Sequence, residues 1–309
     1  MFGEILLLAL AGGGQISIPL GKAPRHVEQA IAPLQTQGPA FAMESKDCDD
    51  YDKAAPPVRI HANTYYVGTC GISSILIVGD EGDILIDGGT EADADLIADN
   101  IRQLGFKLSD VRIILHSHEH FDHVGGIARL QQLSGAQLYA SPAAAKVFES
   151  GVNGPTDPQV GMNKPFPSAH VDRIIQDGQE VRLGNLMLTA VATPGHTPGA
   201  LSWHWGACDG GVCRRIVYAD SLSPVSRDDY RFSDHPAYLA SYRASIARVA
   251  ALDCDILITP HPSASHLVER FGKRSLEDPE ACRNYAAGLT KALDERLAKE
   301  TAPATAAKP

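Results

Sequence analysis

Residues 113–126, I-I-L-H-S-H-E-H-F-D-H-V-G-G, decide how this chain is read. The apolar run Val111 to Leu115 leads into them and reads as a short buried strand. Beyond Asp122, the positions Val124, Ile127, Leu130 and Leu133 recur at helical spacing. His116, His118, His120, Asp122 and His123 therefore fall where a strand ends and a helix begins. In α/β folds, sites gather at the carboxyl ends of strands. Alternate residues of an extended chain point to one side, so His118 and His120 can grip one ion together. Asp122 and His123, past the bend, can turn towards a second. Imidazole and carboxylate suit zinc. The bland alternative is a polar loop of solvated histidines, against which H-x-H-x-D-H after a buried strand is too specific an arrangement.

Outward from that stretch, the totals bound the answer. A chain of 309 residues is one large domain or two ordinary ones. A hydrophobic fraction of 44% allows a sizeable core. The formal net charge of −10 argues against a nucleic-acid partner, which needs a basic face. No apolar run reaches the length needed to span a membrane. Met1 to Gly14 resembles the apolar part of a secretory signal, although it lacks preceding basic residues and carries Glu4. The expected organisation is a leader and N-terminal arm over 1–42, a single domain over 43–300, and a flexible tail over 301–309.

The six cysteines show no C-x-x-C spacing, which argues against a zinc ribbon or redox motif. Their even count beside a leader favours an oxidising compartment, periplasmic or secreted. Six cysteines allow 15 connectivities. Cys208-Asp-Gly-Gly-Val-Cys213 is a turn-rich loop that a local bridge would close.

Along the chain, β patterning begins at Asn63. Two β-branched runs flank the turn G-D-E-G-D at 79–83, and Asp87-Gly88-Gly89 ends a buried strand placed to pack beneath the histidines. Glu91 to Leu104 reads as an amphipathic helix. A strand at Gln137 to Ala140 and a helix near Ala143 to Glu149 follow the metal stretch. Gly151 to Ala169, rich in glycine and proline, is a long structureless segment of the kind that is commonly functional. Further strands are expected at Arg173 to Ile175, Leu186 to Ala192, Ala200 to Trp205, Ile216 to Ala219 and Asp255 to Thr259. Helices are expected at Pro236 to Leu252 and Glu277 to Glu300. This order suggests two similar halves that stack their sheets with helices outside.

Two later histidines also sit at strand ends. T-P-G-H196-T-P-G follows the Leu186–Ala192 strand, and T-P-H261-P follows Asp255–Thr259. Each alone reads as an ordinary loop histidine. Together with the first cluster they complete two ligand sets.

These motifs, with Y-Y-V-G-T-C-G-I-S-S-I-L-I, D-G-G-T-E, Y-A-D-S-L-S-P and C-D-I-L-I-T-P-H-P, resemble the metallo-β-lactamase superfamily and, within it, subclass B3. The likeness covers about residues 45 to 295. It implies an α/β fold, an αββα sandwich of two mixed β-sheets with helices on the outer faces. It implies two Zn2+ per subunit, one on His118, His120 and His196, the other on Asp122, His123 and His261. The resemblance also implies the disulfides Cys48–Cys70, Cys208–Cys213 and Cys254–Cys282. It points to Ser221 and Ser223 for the substrate carboxylate, with Gln159 from the long segment as a further contact. His116 lies outside the superfamily motif and is assigned a supporting role. Asp220 stands near the place where many dinuclear hydrolases of the superfamily carry a bridging aspartate.

The activity this implies is hydrolysis of the β-lactam amide of penicillins, cephalosporins and carbapenems by a monomer acting on a small-molecule substrate. Three protein ligands per zinc leave open positions, as a catalytic site requires. A hydroxide generated at the metals would attack the carbonyl, with Asp122 as the catalytic residue that orients it and moves its proton. The rivals are another dinuclear zinc hydrolase of this fold, a lactonase or a glyoxalase II-like thioesterase, and a non-catalytic zinc-binding protein.

Overall fold

The computed structural model describes Cys48 and residues 50–301. The expected leader and arm over 1–42, and residues 302–309 of the expected tail, lie outside these.

The first sheet has seven strands in sequence order: β1 (Val58–His61), β2 (Thr64–Tyr66), β3 (Ile75–Ile77), β4 (Asp83–Ile86), β5 (Val111–Leu115), β6 (Gln137–Ala140) and β7 (Val171–Ile174). It is antiparallel from β1 to β4 and parallel from β4 to β7. Helices supply the parallel crossovers: α1 (Ala94–Gln103), the short α2 (Phe121–Val124), α3 (Ile127–Ser134) and α4 (Pro142–Ser150). The second sheet contains β8 (Glu180–Leu183), β9 (Leu186–Ala192), β10 (Leu201–Asp209), β11 (Val212–Tyr218) and β12 (Ile256–Ile258), in the order β12-β11-β10-β9-β8. Only β11 and β12 run parallel in it. Three helices complete the chain: α5 (Pro236–Ala251), α6 (Leu267–Lys273) and α7 (Ala281–Thr301).

The period of two along each strand sorts side chains into layers. Ile75 and Ile77 face the second sheet, joining Ile84, Ile86, Trp203, Ile216, Tyr218, Ile256 and Ile258 in one core. Leu76 between them faces the other way, with Leu85 and Ile114, onto Ile97, Ile101, Ile127 and Phe148 of the helices. On the second sheet, Val217 and Leu257 turn outward onto Tyr242, Ile246, Val249 and Leu293. The result is helix, sheet, sheet, helix, which is the expected αββα sandwich. Among the described residues, no helix is long and apolar enough to cross a membrane.

Several boundaries differ from the sequence expectation. β10 and β11 run on to Asp209 and Val212, so the Cys208–Cys213 segment is the tip of a hairpin rather than a loop. Cys208 and Cys213 are register partners, and Gly210 and Gly211 between them have φ of 54° and 86°. Positive φ at both central residues is what a two-residue hairpin turn demands. The last helix begins at Ala281, after Pro279, rather than at Glu277. β1, β8 and α6 were not expected.

The chain joins Cys48–Cys70, Cys208–Cys213 and Cys254–Cys282, with no free cysteine among the described residues. These are the pairs the resemblance implies.

Candidate metal centre

The carboxyl ends of β4, β5, β11 and β12 meet at one edge of the two sheets, and each contributes a polar residue there. Asp87 follows β4 and is fully buried with φ 64°, in the left-handed region. Its carboxylate accepts from the Ser117 N–H (2.6 Å), the Ser117 hydroxyl (2.7 Å) and the Tyr218 hydroxyl (2.6 Å). It thereby fastens the loop after β5 to the end of β11 across the interface, beneath the histidines. More bonds close the edge. Leu201 N–H donates to Ser117 O (2.7 Å), Trp203 Nε1–H to His116 O (2.8 Å), and the Ser73 hydroxyl to Thr259 O (2.7 Å).

Two glycine pairs bring α2 against the end of β4. Gly88 N–H donates to His123 O (2.8 Å) and Gly126 N–H to Gly89 O (3.1 Å). A Cβ on Gly126 would lie 2.2 Å from Gly88 O, so only glycine permits this approach. The contact fixes the backbone of His123.

Around this frame, His118, His120 and His196 present donor atoms within 4.8 Å of one another, as do His118, Asp122 and His123. Ring centroids stand 5.0 Å apart for His118–His120, 4.7 Å for His118–His196 and 4.8 Å for His120–His196. The two sets adjoin through His118 and His123, whose centroids are 4.2 Å apart. His261 joins the second set. Its Nε2 lies 3.2 Å from His123 Nε2 and 3.5 Å from Asp122 Oδ2. All six residues named from sequence are thus brought together.

In the first set, each imidazole has one nitrogen tied outward. His118 Nδ1 bonds Asp220 Oδ1 at 2.8 Å, His120 Nε2 bonds Asp157 Oδ2 at 3.0 Å, and His196 Nδ1 bonds Ser223 O at 2.9 Å. The remaining nitrogens are left for the centre, and His118 Nε2 is buried without a protein partner. Outward anchoring of this kind fixes tautomer and ring orientation at metal sites. Burial, reinforced by neighbouring imidazoles, holds His118 well below its ordinary pKa and places His196 at about 3 and His261 at about 4. These three rings are therefore neutral, as metal ligation requires; burial would lower His123 too, but the adjoining Asp122 carboxylate raises it. Burial would raise the Asp122 carboxyl, but His123 and His261 hold it below the usual range, so it is ionised. A buried, inward-facing imidazole nitrogen, two ring nitrogens at 3.2 Å and an ionised carboxylate form a donor set that fits zinc.

His116 is elsewhere. Its Nε2 accepts from the Ser141 N–H (3.1 Å), its ring packs on Phe148, and burial lowers it to about 3. It braces β5 against α4. Asp220, fully buried, orients His118. Of the expected substrate contacts, Ser221 Oγ is buried without a partner, and Ser223 Oγ lies 3.1 Å from His196 Nδ1. Gln159 reaches in from the long segment, with Nε2 3.4 Å from His196 Nε2.

Two residues escaped the sequence reading. Glu119 looks like a spacer between two ligands, yet it is buried and accepts from the Thr197 hydroxyl (2.6 Å) and Gly199 N–H (2.8 Å). It ties the H-S-H-E-H loop to the loop bearing His196. Asp157, anchoring His120, lies in the segment 151–169, where only length and composition pointed to function. Burial would raise its carboxyl, but the bond from His120 keeps it low.

Residues 67–261 match the family described as the metallo-beta-lactamase superfamily. The MIM-2 metallo-beta-lactamase is 56% identical, with 85% of this chain and 98% of that one covered at a TM-score of 0.81. MEM-A1, a subclass B3 metallo-beta-lactamase isolated from a soil metagenome library, is 47% identical over 81% of this chain and 98% of that one, with a TM-score of 0.78. A hydroxyacylglutathione hydrolase of Pseudomonas paraeruginosa is 33% identical over 148 residues, and the match spans 48% of this chain and 44% of that protein. Fold, histidine pattern and these likenesses agree: the chain belongs to the metallo-beta-lactamase superfamily, in its subclass B3 branch.

Proposed function

We propose that this protein is a zinc-dependent β-lactamase that hydrolyses the amide bond of penicillins, cephalosporins and carbapenems. The observation that carries the reading is the pair of adjoining donor sets, six side chains from three separate segments meeting at one sheet edge. His118, His120 and His196 would hold one ion, and Asp122, His123 and His261 a second. Zinc held there supplies a nucleophile at neutral pH, by lowering the pKa of water to about 7, and polarises a carbonyl oxygen.

The chain's own residues do the rest. Asp122, ionised and 7% exposed, faces both sets and can accept a proton and pass it to the departing nitrogen. Ser221 Oγ, which has no protein partner, can donate to the substrate carboxylate, and Ser223 and Gln159, both against His196, can add to it. Glu119 and Asp87 keep the ligand loops in register while substrate comes and goes. The three disulfides support export to an oxidising, periplasmic or extracellular compartment.

The likeness to hydroxyacylglutathione hydrolases marks the rival chemistry, since thioester cleavage needs the same metals. Nitrocefin and S-lactoylglutathione offered to the same preparation separate the two. Hydrolysis of nitrocefin that a chelator abolishes is expected. Cleavage of the thioester alone would overturn the assignment.

A further inference from the structure

We propose that Asp157 is a positioning residue that couples the 151–169 segment to the three-histidine set, so that ion binding there and the placement of Gln159 rise and fall together. The carboxylate is 2% exposed and sits between the His120 loop and the 151–169 segment. Its Oδ2 accepts from His120 Nε2–H (3.0 Å) and from Asn153 Nδ2 (2.6 Å). Its Oδ1 accepts from the Gln159 backbone N–H (2.7 Å). One carboxylate thus fixes a ligand's tautomer and holds two residues of the segment, one of them Gln159, whose side chain reaches His196.

The far side of the segment is anchored as well. Asn153 Nδ2 also approaches Glu119 O (3.4 Å), and the Arg227 N–H donates to Pro158 O (3.0 Å). That second bond ties Pro158 to the segment that follows Ser221 and Ser223. An imidazole rotates about its ring axis unless one nitrogen is held. With Asp157 in place, His120 Nε2 must donate outward, and Nδ1 is the nitrogen left for the centre. An ion on Nδ1 in turn fixes the ring, and the ring fixes the carboxylate that organises 153–159. The inference rests on the metal reading of the site but not on the identity of the substrate.

Zinc affinity is measured by competition with a chromophoric chelator for the wild type, Asp157→Ala and Asp157→Asn, with folding checked by circular dichroism. Asp157→Ala should weaken one of the two ions roughly 10–100-fold and leave the other unchanged. Asp157→Asn keeps an oxygen to accept from His120 but sets its amide N–H2 against the Gln159 N–H, so its loss of affinity should be smaller than that of Asp157→Ala. Equal loss in both variants, or Asp157→Ala indistinguishable from wild type, overturns the proposal. Hydrogen–deuterium exchange of the wild type needs no variant. Chelation should deprotect residues 153–159, and unchanged exchange there overturns the coupling. A wild type that takes up no zinc would instead refute the metal reading of the site.

Discussion

Asp87→Ala is the most informative single change to the frame beneath the histidines. Three donors converge on this carboxylate: the Ser117 N–H, the Ser117 hydroxyl and the Tyr218 hydroxyl. Each buried donor left without an acceptor costs about 1–3 kcal/mol. Tyr218 has a fallback in Ser73 O at 3.4 Å. The two Ser117 donors therefore dominate, and together they are worth about 2–6 kcal/mol. Alanine at φ 64° adds about 1 kcal/mol of backbone strain. Burial works in the opposite direction, since it raises the carboxyl and makes the native charge costly. The expected net loss is about 3 kcal/mol, a large share of the roughly 5–15 kcal/mol that holds a domain together. Asp87→Asn retains an oxygen acceptor and tolerates the left-handed conformation, so it should lose only about 1–2 kcal/mol. Urea unfolding of chelated protein at neutral pH measures both. A loss below about 1 kcal/mol in Asp87→Ala, or an asparagine variant as damaged as the alanine one, would refute the view that this node holds the site together.

Other consequences follow from single features. Ser221→Ala combined with Ser223→Ala should raise KM for carboxylate-bearing β-lactams a few-fold to tens-fold, the scale of one or two hydrogen bonds, with a smaller change in kcat. Unaltered KM across substrates would remove these serines from recognition. Removing the Cys254–Cys282 bridge, with a sequence separation of 28, should cost about 3.6 kcal/mol by loop entropy. The Cys208–Cys213 bridge, with a separation of 5, should cost about 2 kcal/mol. Thermal unfolding of Cys→Ala pairs that reversed this order would argue against the entropic account. Arg215 donates from its side chain and backbone N–H to Asp255, holding that carboxyl at about 2. Its folded pKa lies below the unfolded value of about 3.9, so the stabilisation is present above that pH and lost as pH falls towards 2. The Tm difference between wild type and Asp255→Asn should shrink from pH 5 to pH 2, and a constant difference would contradict the assignment.

Much of the site was legible because its ligands lie in short motifs, at strand ends that apolar runs announce. Val111–Leu115, Leu186–Ala192 and Asp255–Thr259 could be read from their apolar runs, and the histidine motifs at their ends, through the family resemblance they carry, gave His118, His120, Asp122, His123, His196 and His261. What stayed hidden depends on contacts distant in sequence. Asp157 meets His120 across 37 residues, and Asp220 meets His118 across 102. Neither carboxylate differs locally from a surface aspartate. Glu119 gave one usable signal: between two inward histidines, period two turns it to the opposite, buried side. β1 and β8 are four-residue strands that carry arginine and histidine or glutamate, too short and polar for alternation to mark. α6 spans seven residues between His266 and Arg274, both at positive φ, which no helical period reveals. The β10–β11 hairpin was truncated in the reading because Asp-Gly-Gly looks like a loop until the register across Cys208 and Cys213 is known.

The most direct test of the account is a zinc titration of the metal-free protein, following bound zinc and nitrocefin hydrolysis in the same sample, with His118→Ala and His261→Ala alongside. Activity should be absent without metal and return with zinc. The wild type should saturate at two ions per chain, and each variant should lose one of them. Full activity in metal-free protein, verified by elemental analysis, or two tightly held ions in both variants, would contradict the centre described above.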